Sequence, residues 1–586
     1  MDPFNTVGEL IRYIRTKYSH PNALNYYKND AWHSISTESF LNQVKNLTLA
    51  LVKLGLKRGD RVGILVPPSP QWTIANIAII MAGGVSIPLF ANISEENYIF
   101  EVTQTELKFL FVEGEDQWNR YTLHPAFVKT AIAFDRNSSN NGVLGYQEAL
   151  NLGAELDKVQ PELFAQLENE MKPTDLANII YTSGSTGTPK GVELTQKNIT
   201  ALINQDAFDL NRPGDRFLSI LPLAHIYGYT LNFLMLGWGV PIYYFNDLKT
   251  LGKICQDLHP TIVVLVPRLL EKIYAKMLSR VQEAGTMKKQ LGKWAFDFAA
   301  HEHTALVEGL IHPIVDKLVY HTLRESLGGA LRIVITGGAA LNPTLCRFFI
   351  EIGIPLYEGW GMTEATVITV NRPTGRKIGT VGQPLHGMQI KIAEGGEILA
   401  KGPVVMRGYY RNPEMTSATL DSEGWLHTGD KGTIDSENFL TIIGRIKELY
   451  KTSTGEYIAP IPIEQALCQA PLIDMAMVVA DNLKFASALL FPNFEVLETL
   501  KKLHHAANMT NEEFLKSPFI QEEMNKLIAN INSHLNRWEQ IRAYRFILEP
   551  PSIEAGELTP SMKLRRDVIL KKYQKIIDEM YQEDSV

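Results

Sequence analysis

A chain of 586 residues, 45% hydrophobic and 21% charged, is long enough to bury several cores, about three or four folding units by length. A formal net charge of -7 provides no basic field for nucleic acid, so phosphate affinity has to come from local sites and nucleic acid is not an expected partner. Cys255, Cys346 and Cys468 are odd in number, far apart and without a His or Cys at metal-ligand spacing; this suggests neither a disulfide framework nor a zinc site and reads as reduced core thiols.

The first ten residues, Met1 to Leu10, lack a basic stretch followed by an apolar segment, so the expected location is cytoplasmic. Apolar runs at Arg61–Pro67, Ala75–Ala82, Thr261–Val266 and Leu331–Thr336 alternate with helical stretches, the pattern of α/β layers built on parallel sheets. Leu176 to Tyr181 suits a buried strand and Gly191 to Thr195 another, which places Tyr181-Thr-Ser-Gly-Ser-Thr-Gly-Thr-Pro-Lys-Gly191 between two strands. Its glycines allow close backbone approach to phosphate oxygens, its hydroxyls add neutral donors, and Lys190 supplies a compact positive charge. A Walker loop instead ends in Gly-Lys-Ser/Thr and opens a helix, whereas Lys190 lies between Pro189 and Gly191.

From Phe217 to Asn246 there is no Asp, Glu, Lys or Arg, a run long enough to cross a bilayer. Pro222, Gly228, Gly237, Gly239 and Pro241 break it into strand, loop, helix and strand, so it reads as a buried crossover unit. Its apolar character suits a greasy substrate and is equally explained by core packing. Gln282 to Leu327, with Trp294, Phe296 and Phe298, predicts a packed helical pair. Met388 to Gly408 turns to short strands with Gly and Pro, a small β-rich subdomain, and the charged Gly444 to Lys451 segment suits a hinge to a C-terminal domain of strands and helices.

The Tyr181 to Gly191 run resembles the signature of the adenylate-forming, AMP-binding superfamily, and further segments match in the same order. These are Leu221-Pro-Leu-Ala-His225, Thr336-Gly-Gly-Ala339, Tyr357-Glu-Gly-Trp-Gly-Met-Thr-Glu-Ala365, Gly424-Trp-Leu-His-Thr-Gly-Asp430, Gly444-Arg-Ile-Lys447 and Gly556-Glu-Leu-Thr-Pro-Ser-Met-Lys563. The helical insertion and Glu456-Tyr-Ile-Ala-Pro460 resemble the long-chain fatty acyl-CoA synthetase branch. The fold implied is α/β: a large N-terminal domain, residues 1–444, of layered sheets with a β-rich subdomain at about 380–444, and a smaller mobile α+β domain, residues 445–586, hinged near Lys447.

The resemblance implies that a fatty acid carboxylate attacks ATP to give an acyl-adenylate, which a thiol then attacks, with ATP, Mg²⁺ and CoA as cofactors or co-substrates. An acyl-acyl-carrier-protein synthetase shares the first half-reaction, and a non-catalytic acyl or nucleotide binding protein is the alternative from another class. Thr182, Ser183, Gly184, Ser185, Thr186, Gly187 and Lys190 would hold the phosphates, with Glu364 and Thr186 on the metal. Gly337, Gly338, Ala339, Glu358, Gly359, Trp360, Gly361, Met362 and Thr363 would surround the adenine and α-phosphate; Trp360 stands where the family usually has Tyr. Asp430 would accept from the ribose hydroxyls and Arg445 meet ribose or phosphate. His225 would orient the acyl carboxylate, Lys563 would stabilise charge at the α-phosphate, and Lys451, Gly455 and Glu456 would form the thiol-transfer loop. Gly455 is one glycine where many relatives carry two. Tyr227, Tyr229 and Trp238 either line an acyl pocket or belong to an aromatic core. An enzyme of insoluble acids also suggests peripheral attachment to a membrane, without a lipidation site or basic amphipathic anchor in the sequence.

Overall fold

The computed structural model describes residues 4–120, 128–136, 143–183, 189–205, 207–210, 212–303, 305–451, 456–481, 483, 485–552, 555–559 and 563–582. An eight-stranded sheet runs in the order Gly408–Tyr409, Pro189–Thr195, Leu176–Ser183, Val85–Pro88, Arg61–Leu65, Phe109–Val112, Thr130–Ala133, Val143–Gly145. It is parallel except where Pro189–Thr195 folds back on Leu176–Ser183 and pairs with Gly408–Tyr409. A nine-stranded sheet follows the order Gln383–Pro384, Thr369–Val370, Leu356–Trp360, Ile333–Thr336, Ile262–Leu265, Phe217–Ser219, Ile242–Tyr244, Leu24–Lys28, Ala31–Ile35, with a parallel centre. The chain is thus the α/β protein its apolar runs predict.

One of those runs is not a strand. Ala75–Ala82 belongs to the helix Pro70–Met81, which starts where Ser69 Oγ accepts from Trp72 N and Pro70 takes the first helical position. The helix touches strands of both large sheets, so every residue of it but Gln71 is buried and the 3.6-residue period is erased. Its polar groups are answered internally: Thr73 shares a hydrogen bond with Tyr244 OH at 2.7 Å, and Asn76 Nδ2 donates to Tyr229 OH at 3.2 Å.

The uncharged run resolves as its prolines and glycines predict, into Phe217–Ser219, the buried helix Ile226–Gly237 and Ile242–Tyr244, with the two strands side by side and parallel. Among the described residues no helix is long and apolar enough to cross a membrane. The Gln282–Leu327 region holds more than a helical pair: Thr286–Ala300 is followed by Ala305–Val315, a π-turn at Asp316–Tyr320 and His321–Glu325. Pro313 lies inside this second stretch, where it lacks an N–H to continue the regular ladder, and the widened turn follows it.

Gln389–Ile392, Glu397–Lys401, Leu426–Ile434 and Leu440–Arg445 form an antiparallel four-stranded sheet. The largest hydrophobic cluster ends at Leu440 and the next begins at Tyr450; between them the one-turn helix Ile446–Glu448 exposes Lys447. Beyond it, Ile473–Val479, Ala486–Pro492 and Ile541–Phe546 make a three-stranded sheet buried on both faces. Ala476 and Val478 enter one cluster, while Met477 and Val479 enter the other, packed on the C-terminal helices.

The helices Thr37–Lys53 and Tyr146–Val159 cross so closely that a Cβ on Gly153 would lie 1.7 Å from Asn46 O. Gly153→Ala is therefore expected to destabilise the protein by about 1–3 kcal/mol despite alanine's better helix propensity, read as a lowered denaturant midpoint at unchanged slope.

Candidate active site

The C-terminal ends of the central strands supply the framework, as expected for an open α/β sheet. In the first sheet, Leu176–Ser183 and Pro189–Thr195 form a hairpin with Thr182 opposite Lys190 and Ser183 opposite Pro189. Gly184, Ser185, Thr186 and Gly187 lie outside the described residues. In the second sheet, Ile333–Thr336 and Leu356–Trp360 run parallel with Thr336 beside Glu358, and both end in glycine-containing turns. A Cβ on Gly337 would sit 2.7 Å from Gly359 O, so this strand end approaches its neighbour as only glycine permits. Gly338 adopts φ +79° with open space about it, which leaves its carbonyl accessible.

After Trp360 the chain turns sharply: Gly361 has no room for a Cβ, with Thr366 O 1.9 Å from that position, and Thr366 holds a strained φ of +41°. This turn, which includes Met362 and Thr363, carries Glu364 inward. Its carboxylate is buried, its Oε1 accepts from Tyr409 OH at 2.7 Å, and its backbone carbonyl accepts from Met406 N at 2.7 Å. Tyr409 escapes the sequence analysis; it belongs to the short edge strand Gly408–Tyr409 of the other sheet, and no spacing ties it to Glu364.

Asp430 ties the β-rich sheet to this turn. Its Oδ2 accepts the Trp360 indole N–H at 2.9 Å, and its Oδ1 pairs with Arg445 Nε at 2.8 Å across the Leu426–Ile434 and Leu440–Arg445 strands. Burial raises the Asp430 pKa, opposed by Arg445 and by the indole donor. Onto this group comes Lys563 from the C-terminal region, whose Nζ donates to Gly338 O at 2.5 Å. Packing around the ammonium lowers the Lys563 pKa first and Arg445 adds to it, while Glu448 and Asp430 pull it back up. Lys563 is exposed as a residue, and it is the tip of its side chain that reaches the Gly338 carbonyl.

His225 caps the Ile226–Gly237 helix, with Nδ1 accepting from Tyr227 N at 3.2 Å. Burial, and then Lys563, depress its pKa to about 4, so the ring is neutral at physiological pH. Thr336 Oγ1, Glu358 Oε2 and Tyr227 OH are buried without a hydrogen-bond partner around Gly337, which leaves polar capacity at this end of the sheet. Tyr229 OH donates to Asn178 Oδ1 at 2.6 Å, and Trp238 Nε1 to Ile203 O at 3.1 Å, so both polar tips are satisfied within the core. Ala339 continues the Gly338 turn, and Lys451 and Glu456 flank residues 452–455, Gly455 among them, which lie outside the described residues.

The sequence profile of the AMP-binding enzyme family matches residues 15–410, and that of the AMP-binding enzyme C-terminal domain matches residues 448–585. This chain belongs to the AMP-binding enzyme family. It is 32% identical over 600 residues, covering 99% of both chains, to a long-chain-fatty-acid–CoA ligase of Mycobacterium bovis. A long-chain-fatty-acid–CoA ligase of Xenopus laevis is 29% identical over 628 residues, 99% of this chain and 84% of the other. In fold it is similar to the adenylation domain of a carboxylate reductase from Mycobacterium chelonae, with a TM-score of 0.76 at 21% identity, covering 98% of this chain and 91% of that one. It is also similar to the A domain of a carboxylic acid reductase from Segniliparus rugosus, solved with AMP and a co-purified carboxylic acid, with a TM-score of 0.74 at 20% identity, covering 99% and 94%.

In this AMP-binding enzyme, burial pushes the Glu358 carboxyl up to about 8, only partly opposed by the Cys346 thiol. The folded protein therefore holds a proton that the unfolded chain has released, and stability falls as pH rises from about 4.5 to about 8. Glu358→Gln removes this penalty: its stability relative to the parent is expected to improve by about 3–5 kcal/mol between pH 5 and pH 9, measured by denaturant unfolding of the ligand-free protein.

Proposed function

We propose that the protein is an ATP-dependent long-chain fatty acid–CoA ligase. The observation that carries this reading is the contact of Lys563 with Gly338 O beside Asp430, Trp360 and Arg445, which joins a C-terminal lysine to the strand ends of the large region. The names of the full-length relatives supply the acyl class and the acceptor.

In the first half-reaction an oxygen of the fatty acid carboxylate attacks the α-phosphorus of ATP; the bond to the bridging α–β oxygen breaks and pyrophosphate leaves. Thr182, Ser183 and Lys190, with Gly184, Ser185, Thr186 and Gly187, hold the β- and γ-phosphates. Gly337, Gly338, Ala339, Glu358 and Gly359 border the adenine, over which Trp360 stacks while its indole N–H fixes Asp430. Asp430 accepts from the ribose hydroxyls, Arg445 pairs with that carboxylate, and Thr363 donates to the α-phosphate. Lys563 meets the negative charge that develops at the α-phosphorus.

Mg²⁺ binds through one or two carboxylates together with substrate phosphates, so no cluster of protein ligands is required, and none is found among the described residues. Glu364 fits that donor set, since it is buried and fixed through Oε1 by Tyr409, and with Thr186 it would hold the ion. When bound, the ion supplies charge neutralisation to the phosphates. In the second half-reaction the thiol sulfur of CoA attacks the acyl carbonyl carbon, its proton passes to solvent, and AMP leaves. The C-terminal domain turns about Lys447, withdrawing Lys563 and presenting Lys451, Gly455 and Glu456. His225 orients the acyl carboxylate, and Tyr227, whose hydroxyl lies near Gly337, borders the acyl entry.

Lys563→Ala is expected to lower fatty-acid-dependent pyrophosphate release by about 10²–10³-fold, the usual effect of removing a group that meets transition-state charge. Thioester formation from supplied acyl-adenylate should be largely spared. Assays with CoA and with holo-carrier protein run separately test the acceptor; loss of both half-reactions in a folded variant, or transfer only to the carrier protein, contradicts the reading.

A further inference from the structure

Lys563 does not reach Gly338 on a free arm. Among the further contacts that cross between the same regions, two meet the edge of the large region at the ends of adjacent strands. Gln465 Nε2, in the helix Pro460–Leu467, donates to Ala340 O, two residues from Gly338. Arg268 Nη2 pairs with Asp474 Oδ1 at the start of the Ile473–Val479 strand. Arg268 is the second residue of the helix Pro267–Glu283, which leaves the Ile262–Leu265 strand, and that strand is hydrogen-bonded to Ile333–Thr336, which Gly337 follows. The lysine, the amide and the carboxylate thus dock on one continuous rim.

We propose that Arg268 and Asp474 are positioning residues for Lys563: their ion pair holds the C-terminal domain in the orientation that sets Lys563 on Gly338, and it parts when the domain turns for the second half-reaction. This rests on the two-step reading above.

Three features suit the pair to that task. Its side chains are 23% and 30% exposed, so it is shielded more than a surface ion pair yet remains open enough to rehydrate on parting. Arg268 keeps a carboxylate whichever way the domain faces, because its Nη1 is held by Glu271, three residues on in its own helix, at 3.0 Å. Among the described residues the pair is bonded to itself and to Glu271 and not to the residues assigned to the nucleotide, so it can bias orientation without altering the chemistry. Burial works to lower the Arg268 pKa, but Asp474 and Glu271 more than offset it, so the guanidinium stays charged in the docked state.

The test compares Asp474→Asn and Asp474→Glu with the parent, all as full chains. Measured are palmitate-dependent ATP–pyrophosphate exchange, thioester formation from supplied palmitoyl-adenylate and CoA, and hydrogen exchange of residues 338–341 and 460–475 by mass spectrometry. D474N is expected to slow exchange of pyrophosphate by about five- to tenfold with the KM for ATP unchanged, to leave thioester formation equal or faster, and to raise amide exchange in both segments. D474E should restore all three. Equal loss in both half-reactions, or parent-like pyrophosphate exchange with unchanged amide protection, overturns the proposal. A parent without palmitate-dependent pyrophosphate exchange would sink the ligase reading alone, because amide protection in D474N still decides whether the ion pair holds the domain.

Discussion

A carboxylate that has to stay an acceptor inside a protein needs a cation and a donor fixed around it, and Asp430 has both. Arg445 comes from the neighbouring strand and Trp360 from the far sheet, so the β-rich layer cannot shift against the nine-stranded sheet without exposing an unpaired buried charge. The same arrangement sets the electrostatics that Lys563 meets, since Arg445 disfavours the ammonium while Asp430 and Glu448 favour it. The ammonium is thus held in opposed fields, so a change in any one of these neighbours shifts its balance.

The rest of the large region keeps this rim in place. Two sheets share the buried helix Pro70–Met81, whose Thr73 and Asn76 are hydrogen-bonded to tyrosines of the second sheet and its crossover helix. Polar bonds inside so apolar a layer specify one registration of sheet on helix, because any slip would leave them unanswered. Glycines at 337 and 361 then allow backbone to pass where a Cβ would collide, so the turns after adjacent strands converge rather than splay.

What could be read from the residues alone follows from how local each cause is. The pairing of Leu176–Ser183 with Pro189–Thr195 was legible because both strands are short apolar runs on either side of a glycine-rich turn sequence. The uncharged run was legible through its prolines and glycines. Pro70–Met81 was not, because burial on nearly every side removes the periodicity that separates helix from strand. The Thr286–Glu325 region was only half legible, since Pro313 produced a π-turn instead of a clean break. Tyr409 and Glu364 are separated by 45 residues, and the proposed docking pair by 206, so neither partnership leaves a mark on any window of sequence. Lys563 could be found only through its resemblance; its spacing by itself suits a solvated loop.

The capping of the Ile226–Gly237 helix by His225 reaches beyond helix stability. With Nδ1 committed to a backbone N–H and the ring held neutral, the imidazole proton resides on Nε2, and that edge is a donor alone. Such a ring cannot abstract a proton through Nε2 and offers nothing to an ammonium or an amide N–H. Any group that meets that edge of the ring has to bring a lone pair.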